Sequence, residues 1–265
     1  MQKIWFITGA SSGFGRLWAQ AALERGDRVA VAARSAVDPA LVERFGDAVL
    51  PLTLDVTDRE AVFAAVDHVV QRFGRIDVVV NAAGYGHVGM VEEVTERELR
   101  RQMETNFFGA VWVTQAVLPV LRRQNAGHLL QVTSEGGVRA YPGFGAYHAS
   151  KWAVEGLTEA LALETAGFGF HVTLVEPGPY ATGFVGAIHQ SAESPAYPRP
   201  EIDFRLGDPT ATTAALLALV DAENPPRRLV MGDVLPEIEA IYEQRLTTWR
   251  DWAKVSLDAF GSRVA

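Results

Sequence analysis

The feature that most narrows the folds open to this chain is an alternation of two kinds of segment. Short β-branched or aromatic runs at 4–7, 29–33, 48–54, 78–80, 127–133, 171–175 and 228–231 are separated by longer Ala/Leu/Glu/Arg-rich stretches at 13–25, 58–73, 95–124, 149–165 and 210–221. Runs that are apolar throughout suit strands covered on both faces, and the stretches between them suit crossover helices. The pattern therefore predicts an α/β fold with a doubly wound parallel sheet and helices on both faces. With 265 residues and no Pro/Ser-rich linker, a single domain over 1–265 is expected.

Local signals refine this outline. Thr57-Asp58-Arg59-Glu60 supplies an N-cap with an acidic first turn, and Arg72 and Gly74 mark the far end of that helix. Thr95-Glu96-Arg97-Glu98 repeats the opening, and the helix that follows is expected to stop or bend at Pro119. From 178 to 209 the periodicity fails: Pro179, Pro195, Pro198, Pro200 and Pro209 accompany Gly183, Gly186 and Gly207. So long an irregular excursion in a compact domain reads as a lid over a binding site. Residues 234–265 return to helix, with Ile238, Ile241, Tyr242 and Leu246 on one stripe that Trp249, Trp252 and Leu257 continue. This segment is expected to pack on the body of the fold or on a neighbouring subunit.

Composition excludes several functions. A formal net charge of -8 leaves no basic face for nucleic acid, and the absence of Cys removes disulfides, thiolate nucleophiles and Cys-ligated metals. His68, His87, His128, His148, His171 and His189 are scattered without ligand spacing, so no metal is expected and most read as surface or packing groups. No signal segment precedes the first strand, and the apolar run 214–220 is too short to cross a bilayer. A cytoplasmic protein with no membrane partner is the expectation.

Two motifs carry chemistry. Thr8-Gly9-Ala10-Ser11-Ser12-Gly13-Phe14-Gly15 follows the first apolar run and opens a helix. Gly9 permits a tight turn, Gly13 lets backbone approach a phosphate, and Gly15 brings helix against sheet. The N–H groups over Ser11, Ser12, Gly13 and Phe14 can then hold a diphosphate. The spacing G-x-x-x-G-x-G is one residue longer than the G-x-G-x-x-G pattern and lacks the P-loop lysine. The second strand ends at Arg34 where NAD-binding chains carry an acid, so a ribose 2'-phosphate, and hence NADP(H) over NAD(H), is favoured, with Asp38 as the reservation, since a flexible turn could let it compete with Arg34. Asp55 and Val56 can reach an adenine ring, or Asp55 can cap the turn before Asp58. The second motif is Tyr147 and Lys151, four residues apart and so on one helical face, where a lysine charge favours the phenolate.

Together these residues closely resemble the short-chain dehydrogenase/reductase family over nearly the whole chain, which implies a Rossmann-type domain with a seven-stranded parallel sheet. The resemblance places the glycine signature on Thr8, Gly9, Gly13 and Gly15 and an Asn-Ala-Gly turn on Asn81, Ala82, Ala83 and Gly84. It places the catalytic set on Asn106, Ser134, Tyr147 and Lys151, and the turn that cups the nicotinamide on Pro177, Gly178 and Thr182. It implies that Ser134 holds a carbonyl or alcohol oxygen while Tyr147 transfers the proton. Lys151 would lower the Tyr147 pKa and contact the nicotinamide ribose, and Asn106 would hold a water or satisfy helix backbone groups. Homodimers or homotetramers through the 95–121 and 152–165 helices are also implied, with Val111, Val113, Ala116, Val154 and Leu157 as contact candidates.

The segments 84–90, 135–144 and 180–204 are expected to face the reaction, with Tyr85, His87, Val88, Glu135, Val138, Tyr141, Phe144, Tyr180, Phe184 and Ile188 lining the substrate side. Their apolar character favours an uncharged small-molecule ketone, aldehyde or secondary alcohol with hydrophobic substituents. Glu135 reads equally well as a solvated loop acid. A Ser-His-acid hydrolase lacks the G-x-S-x-G elbow. A nucleotide-binding regulatory or scaffold protein, and a redox epimerase or dehydratase of the same fold, stay open as alternatives.

Overall fold

The computed structural model describes residues 2–198 and 204–261; residues 199–203 of the expected lid, Pro200 included, and 262–265 lie outside them. In chain order the larger elements are β1 (Ile4–Thr8), α1 (Gly13–Glu24), β2 (Arg28–Ala33), α2 (Pro39–Phe45), β3 (Val49–Thr53), α3 (Arg59–Phe73), β4 (Val78–Asn81) and β5 (His87–Val88). They continue with α4 (Glu96–Met103), a π turn (Glu104–Phe108), α5 (Gly109–Gln124), β6 (His128–Val132), α6 (Gly145–Glu164), β7 (His171–Pro177) and β8 (His189–Gln190). The last are α7 (Thr212–Asp221), β9 (Arg228–Met231), α8 (Leu235–Asp251) and α9 (Ala253–Phe260). Seven strands form one sheet in the order β3-β2-β1-β4-β6-β7-β9, every pair parallel.

The alternation of side chains along β1 explains the two layers. Trp5 and Ile7 point into one core with Trp18 of α1 and Leu216 of α7, while Phe6 points into the other with Val62 and Val66 of α3 and Val113, Val117 and Leu121 of α5. Each such fully buried side chain contributes about 1.5–3 kcal/mol relative to exposure. The indole N–H groups keep partners in this interior: Trp5 Nε1 donates to Asp27 at 2.8 Å and Trp18 Nε1 to Thr212 at 2.9 Å.

Several expectations change. Pro119 lies inside α5 and does not end it; the irregularity falls at the π turn, where Asn106 sits. The helix expected from 149 starts at Gly145, so Tyr147 belongs to its first turn. α2 was not anticipated, although Asp38-Pro39 is a cap-and-proline start, and Asp38 accepts the Ala40 N–H at 3.0 Å. The β5–β8 ladder has two residues on each side, too few for any periodicity to show. Val113, Ala116 and Val154 are buried within the fold, in keeping with the core reading that was open beside the subunit contact. In the C-terminal segment Ile238 is buried, whereas Trp249 is 66% and Leu257 71% exposed, so most of that stripe does not pack on the body. Among the described residues no helix is long and apolar enough to cross a membrane.

At the β7–β9 end of the sheet Arg228 gathers three carboxylates: Glu155 at 2.6 Å, Glu159 at 2.5 Å and Glu176. Burial, and then the neighbouring Glu155, push Glu176 up to about 7, and burial raises Glu155 as well. A carboxyl raised in this way binds its proton more tightly folded than unfolded, so its stabilisation is present at low pH and is lost as pH rises through about 7. Arg228 offsets that loss. Arg228→Met should destabilise the fold by roughly 2–4 kcal/mol, somewhat below a wholly buried pair because the arginine is partly solvated. Urea unfolding should show the larger deficit at pH 8 than at pH 5.

Candidate active site

The strand order reverses at β1, which has β2 on one side and β4 on the other, and this opens a crevice beyond the carboxyl ends of the strands. The glycine turn lies there. Gly9 has φ +69, and a Cβ on it would stand 2.7 Å from the Ala82 carbonyl oxygen; one on Gly15 would stand 2.6 Å from the Gly9 oxygen. The turn therefore presses α1 and the β4 loop together as no other residue would allow. Ser12, at the N-cap of α1, makes no side-chain cap bond, so the first N–H groups of that helix stay available to an anion. Ser11 and Ser12 are exposed, and Ser12, Gly13 and Phe14 line the crevice opposite Thr182. These features fit a dinucleotide diphosphate.

The remaining predicted nucleotide contacts divide into lining and supporting groups. Ala82, Gly84, Pro177, Gly178 and Thr182 line the cleft. Asn81 is buried instead, accepting from Thr8 at 3.2 Å and donating to the Ala110 carbonyl at 3.0 Å, and the Ala83 N–H meets Thr8. Asp55 holds the N–H and hydroxyl of Thr57, and the Val56 side chain packs into the core. Arg34 is exposed and has no ion pair or hydrogen bond among the described residues. Asp38 caps α2 and pairs with Arg16 at 2.6 Å.

Asn106, Ser134, Tyr147 and Lys151 converge at the other end. The Asn106 amide donates to the Tyr85 carbonyl and to Ser150 Oγ, both at 3.0 Å, and its Oδ1 accepts the Tyr85 N–H at 3.1 Å. Both amide hydrogens are thus spent on pinning the Tyr85 loop to α6, and Ser150, which reaches back to the Tyr147 carbonyl at 2.7 Å, is the link that sequence reading set aside. Ser134 Oγ accepts the Gly136 N–H at 3.0 Å, and the adjacent Thr133 hydroxyl turns away to the Val175 carbonyl. Lys151 Nζ donates to the Val132 carbonyl at 3.0 Å and lies 5.8 Å from the centre of the Tyr147 ring. Burial pushes the Tyr147 phenol up to about 12, with a hydrogen bond from Ser134 acting in the opposite sense. Burial likewise pushes Lys151 down to about 8, opposed by Glu155 one turn further along α6.

Between these ends lies a cavity of about 310 Å³. Tyr85, Glu135, Tyr141, Phe144, Tyr180, Phe184 and Ile188 line it, as anticipated. His87 and Val138 do not. His87 is buried in the β5–β8 ladder, 2.8 Å from Ser191 Oγ, and Val138 packs on Val234 and Ile238. Glu135 is 4% exposed, so it is no solvated loop acid; Oε2 takes Arg139 Nε at 2.7 Å and the Tyr141 hydroxyl at 3.0 Å. His148, Phe204 and Leu206 join the lining. The one sequence signal for His148 was its place beside Tyr147.

Comparison with known proteins gives one consistent relationship. The short chain dehydrogenase family model matches residues 3–193. Oxidoreductase BOA17 of Botryotinia fuckeliana is 40% identical over 245 residues, 88% of this chain and 89% of the relative. The 3-ketodihydrosphingosine reductase of Bacteroides thetaiotaomicron is 40% identical with the same coverage, 88% and 89%. The crystal structure of a short-chain dehydrogenase from Streptomyces avermitilis superimposes with a TM-score of 0.91 at 40% identity, covering 97% of this chain and 98% of that one.

The burial of Lys151 is directly measurable, since the sequence contains three lysines. In a protein carrying 13Cε-labelled lysine, one resonance should titrate near pH 8 and vanish in Lys151→Arg. Three lysine resonances that all titrate above about 10 would contradict the desolvated placement.

Proposed function

The chain belongs to the short chain dehydrogenase family and is an oxidoreductase, and from that premise we propose that it moves a hydride between NADP(H) and an uncharged, mainly hydrophobic ketone, aldehyde or secondary alcohol. The observation that carries this reading is that Ser134, Tyr147 and Lys151 line one largely apolar cleft whose far wall is the glycine turn. When bound, the nicotinamide supplies or accepts the hydride.

The chain's own residues supply the rest. Ser134 Oγ holds the substrate oxygen, and Tyr147 Oη, protonated at neutral pH because it is buried, gives its proton to that oxygen during reduction. Lys151 keeps positive charge near the phenol below about pH 8, which favours the phenolate left behind and makes it available as the base for alcohol oxidation. Asn106 and Ser150 position Tyr147 and the Tyr85 loop. Phe184, Ile188, Phe204 and Leu206, from the expected lid, close the apolar side and exclude water. Ser11, Ser12, Gly13 and Phe14 bind the diphosphate, Asp55 and Val56 border the adenine, and Arg34 takes the 2'-phosphate. A nucleotide-binding scaffold needs no buried phenol and ammonium facing an apolar cavity, so catalysis is the better reading. The relative that reduces 3-ketodihydrosphingosine, by its name, is consistent with an apolar ketone here.

NADPH oxidation against a panel of ketones and aldehydes tests the proposal. Tyr147→Phe should lower kcat about 10²–10⁴-fold, the usual worth of a positioned proton donor, with NADPH binding retained. NADPH binding without turnover in either direction would overturn the enzymatic reading. Arg34→Ala should weaken NADPH about 10–100-fold, the loss of a charged hydrogen-bonding partner, and NADH far less. Equal losses would remove Arg34 from that role.

A further inference from the structure

Two polar groups in the cleft are not used by the reaction as proposed. His148 Nδ1 accepts the Tyr141 N–H at 3.3 Å, which leaves the ring proton on Nε2. Among the described residues the ring's hydrogen bond is this one on Nδ1, and His148 lines the cavity. Burial lowers His148 to about 4, so the ring is neutral at physiological pH and presents one donor. The hydrogen bonds and ion pair of the Glu135 carboxylate among the described residues, from Arg139 and Tyr141, fall on Oε2 and leave Oε1 open.

The two groups share one neighbourhood. Tyr141 binds both, through its hydroxyl to Glu135 and its backbone N–H to His148. Gly136, next to Glu135, faces the other edge of the imidazole: a Cβ there would lie 3.2 Å from His148 Nε2 and 3.2 Å from Tyr147 Cε1. Each also follows directly on a residue that holds the reacting oxygen, Glu135 after Ser134 and His148 after Tyr147. The rest of the lining on this side, Phe144, Phe184, Ile188 and Phe204, is apolar. Neither atom is among the buried unpartnered ones, so both stay reachable to a polar group of a bound molecule.

We propose that Glu135 and His148 form a polar subsite that binds a hydroxyl group carried on the substrate's skeleton close to the reacting carbonyl. The hydroxyl accepts from His148 Nε2–H and donates to Glu135 Oε1, which a keto, ether or ammonium group cannot do together. Arg139 already balances the Glu135 charge, so the subsite selects a neutral hydroxyl over a cation. The substrate class narrows to hydroxyketones with an apolar tail, or diols in the reverse direction. This deepens the oxidoreductase reading and rests on it.

The test is kcat/KM for an unbranched methyl ketone, its α-hydroxy and β-hydroxy analogues and its α-ammonium analogue, all of one chain length. The better hydroxyketone should exceed the plain ketone about 10–30-fold, the worth of two added hydrogen bonds, one of them charged. His148→Asn keeps an acceptor for the Tyr141 N–H but lacks the distal donor, and should bring the hydroxyketone-to-ketone ratio close to one. His148→Gln places an amide N–H near the Nε2 position and should recover most of the ratio. Because the ratio is read within each variant, a general loss of activity cancels. Turnover of the plain ketone with no hydroxyl preference, an unchanged ratio in His148→Asn, or a preference for the ammonium compound would overturn the subsite and leave the oxidoreductase reading standing. No turnover of any ketone with either nicotinamide would overturn both.

Discussion

The cleft depends on how closely β1 and β4 can continue past the edge of the sheet. Their parallel pairing runs to Thr8 opposite Asn81, and the chains then part at the point where strand order reverses. Any side chain on Gly9 would occupy the Ala82 carbonyl. Without that approach α1 would stand away from the sheet, and its N-terminus would no longer face the strand ends that carry Ser134 and Pro177. The glycine-turn side and the Ser134/Tyr147 side of the cleft are thus set by one backbone contact.

A second constraint ties the catalytic face to the sheet. Asn106 occupies a π turn between α4 and α5, and such turns are frequent at functional sites because they displace a side chain from the regular helical face. Here the displaced amide clamps the Tyr85 loop and meets Ser150, so Tyr85 and Tyr147 are held by one buried network. Burial then governs the chemistry. Desolvation pushes the Tyr147 phenol up to about 12 and the Lys151 ammonium down to about 8.

The strands of the sheet were legible because each is a short, mainly apolar run, buried along most of its length in the central strands, and the ends moved by only a residue or two. The glycine turn and the Tyr147/Lys151 pair were legible because both are spacings, and spacing survives folding. The 178–209 stretch was recognised as irregular, and its described part does reach the cavity through Phe184, Ile188, Phe204 and Leu206. The failures share a cause. His87 and Val138 were read as lining residues from their position in a loop, but loop position does not say which way a side chain turns. Pro119 was overrated as a breaker, since a proline within α5 is tolerated where packing on both sides holds the helix.

The amino-acid sequence alone determined the alternation of the sheet strands with their crossover helices, the glycine turn and the Tyr147/Lys151 spacing, because these follow from periodicity, glycine geometry and spacing along a helix. Only the tertiary structure decided that Glu135 is buried against Arg139, that His148 faces the cleft, and that Val113 and Val154 belong to the core. Burial and orientation are produced by elements distant in sequence meeting one another, and no local pattern records which of them will meet.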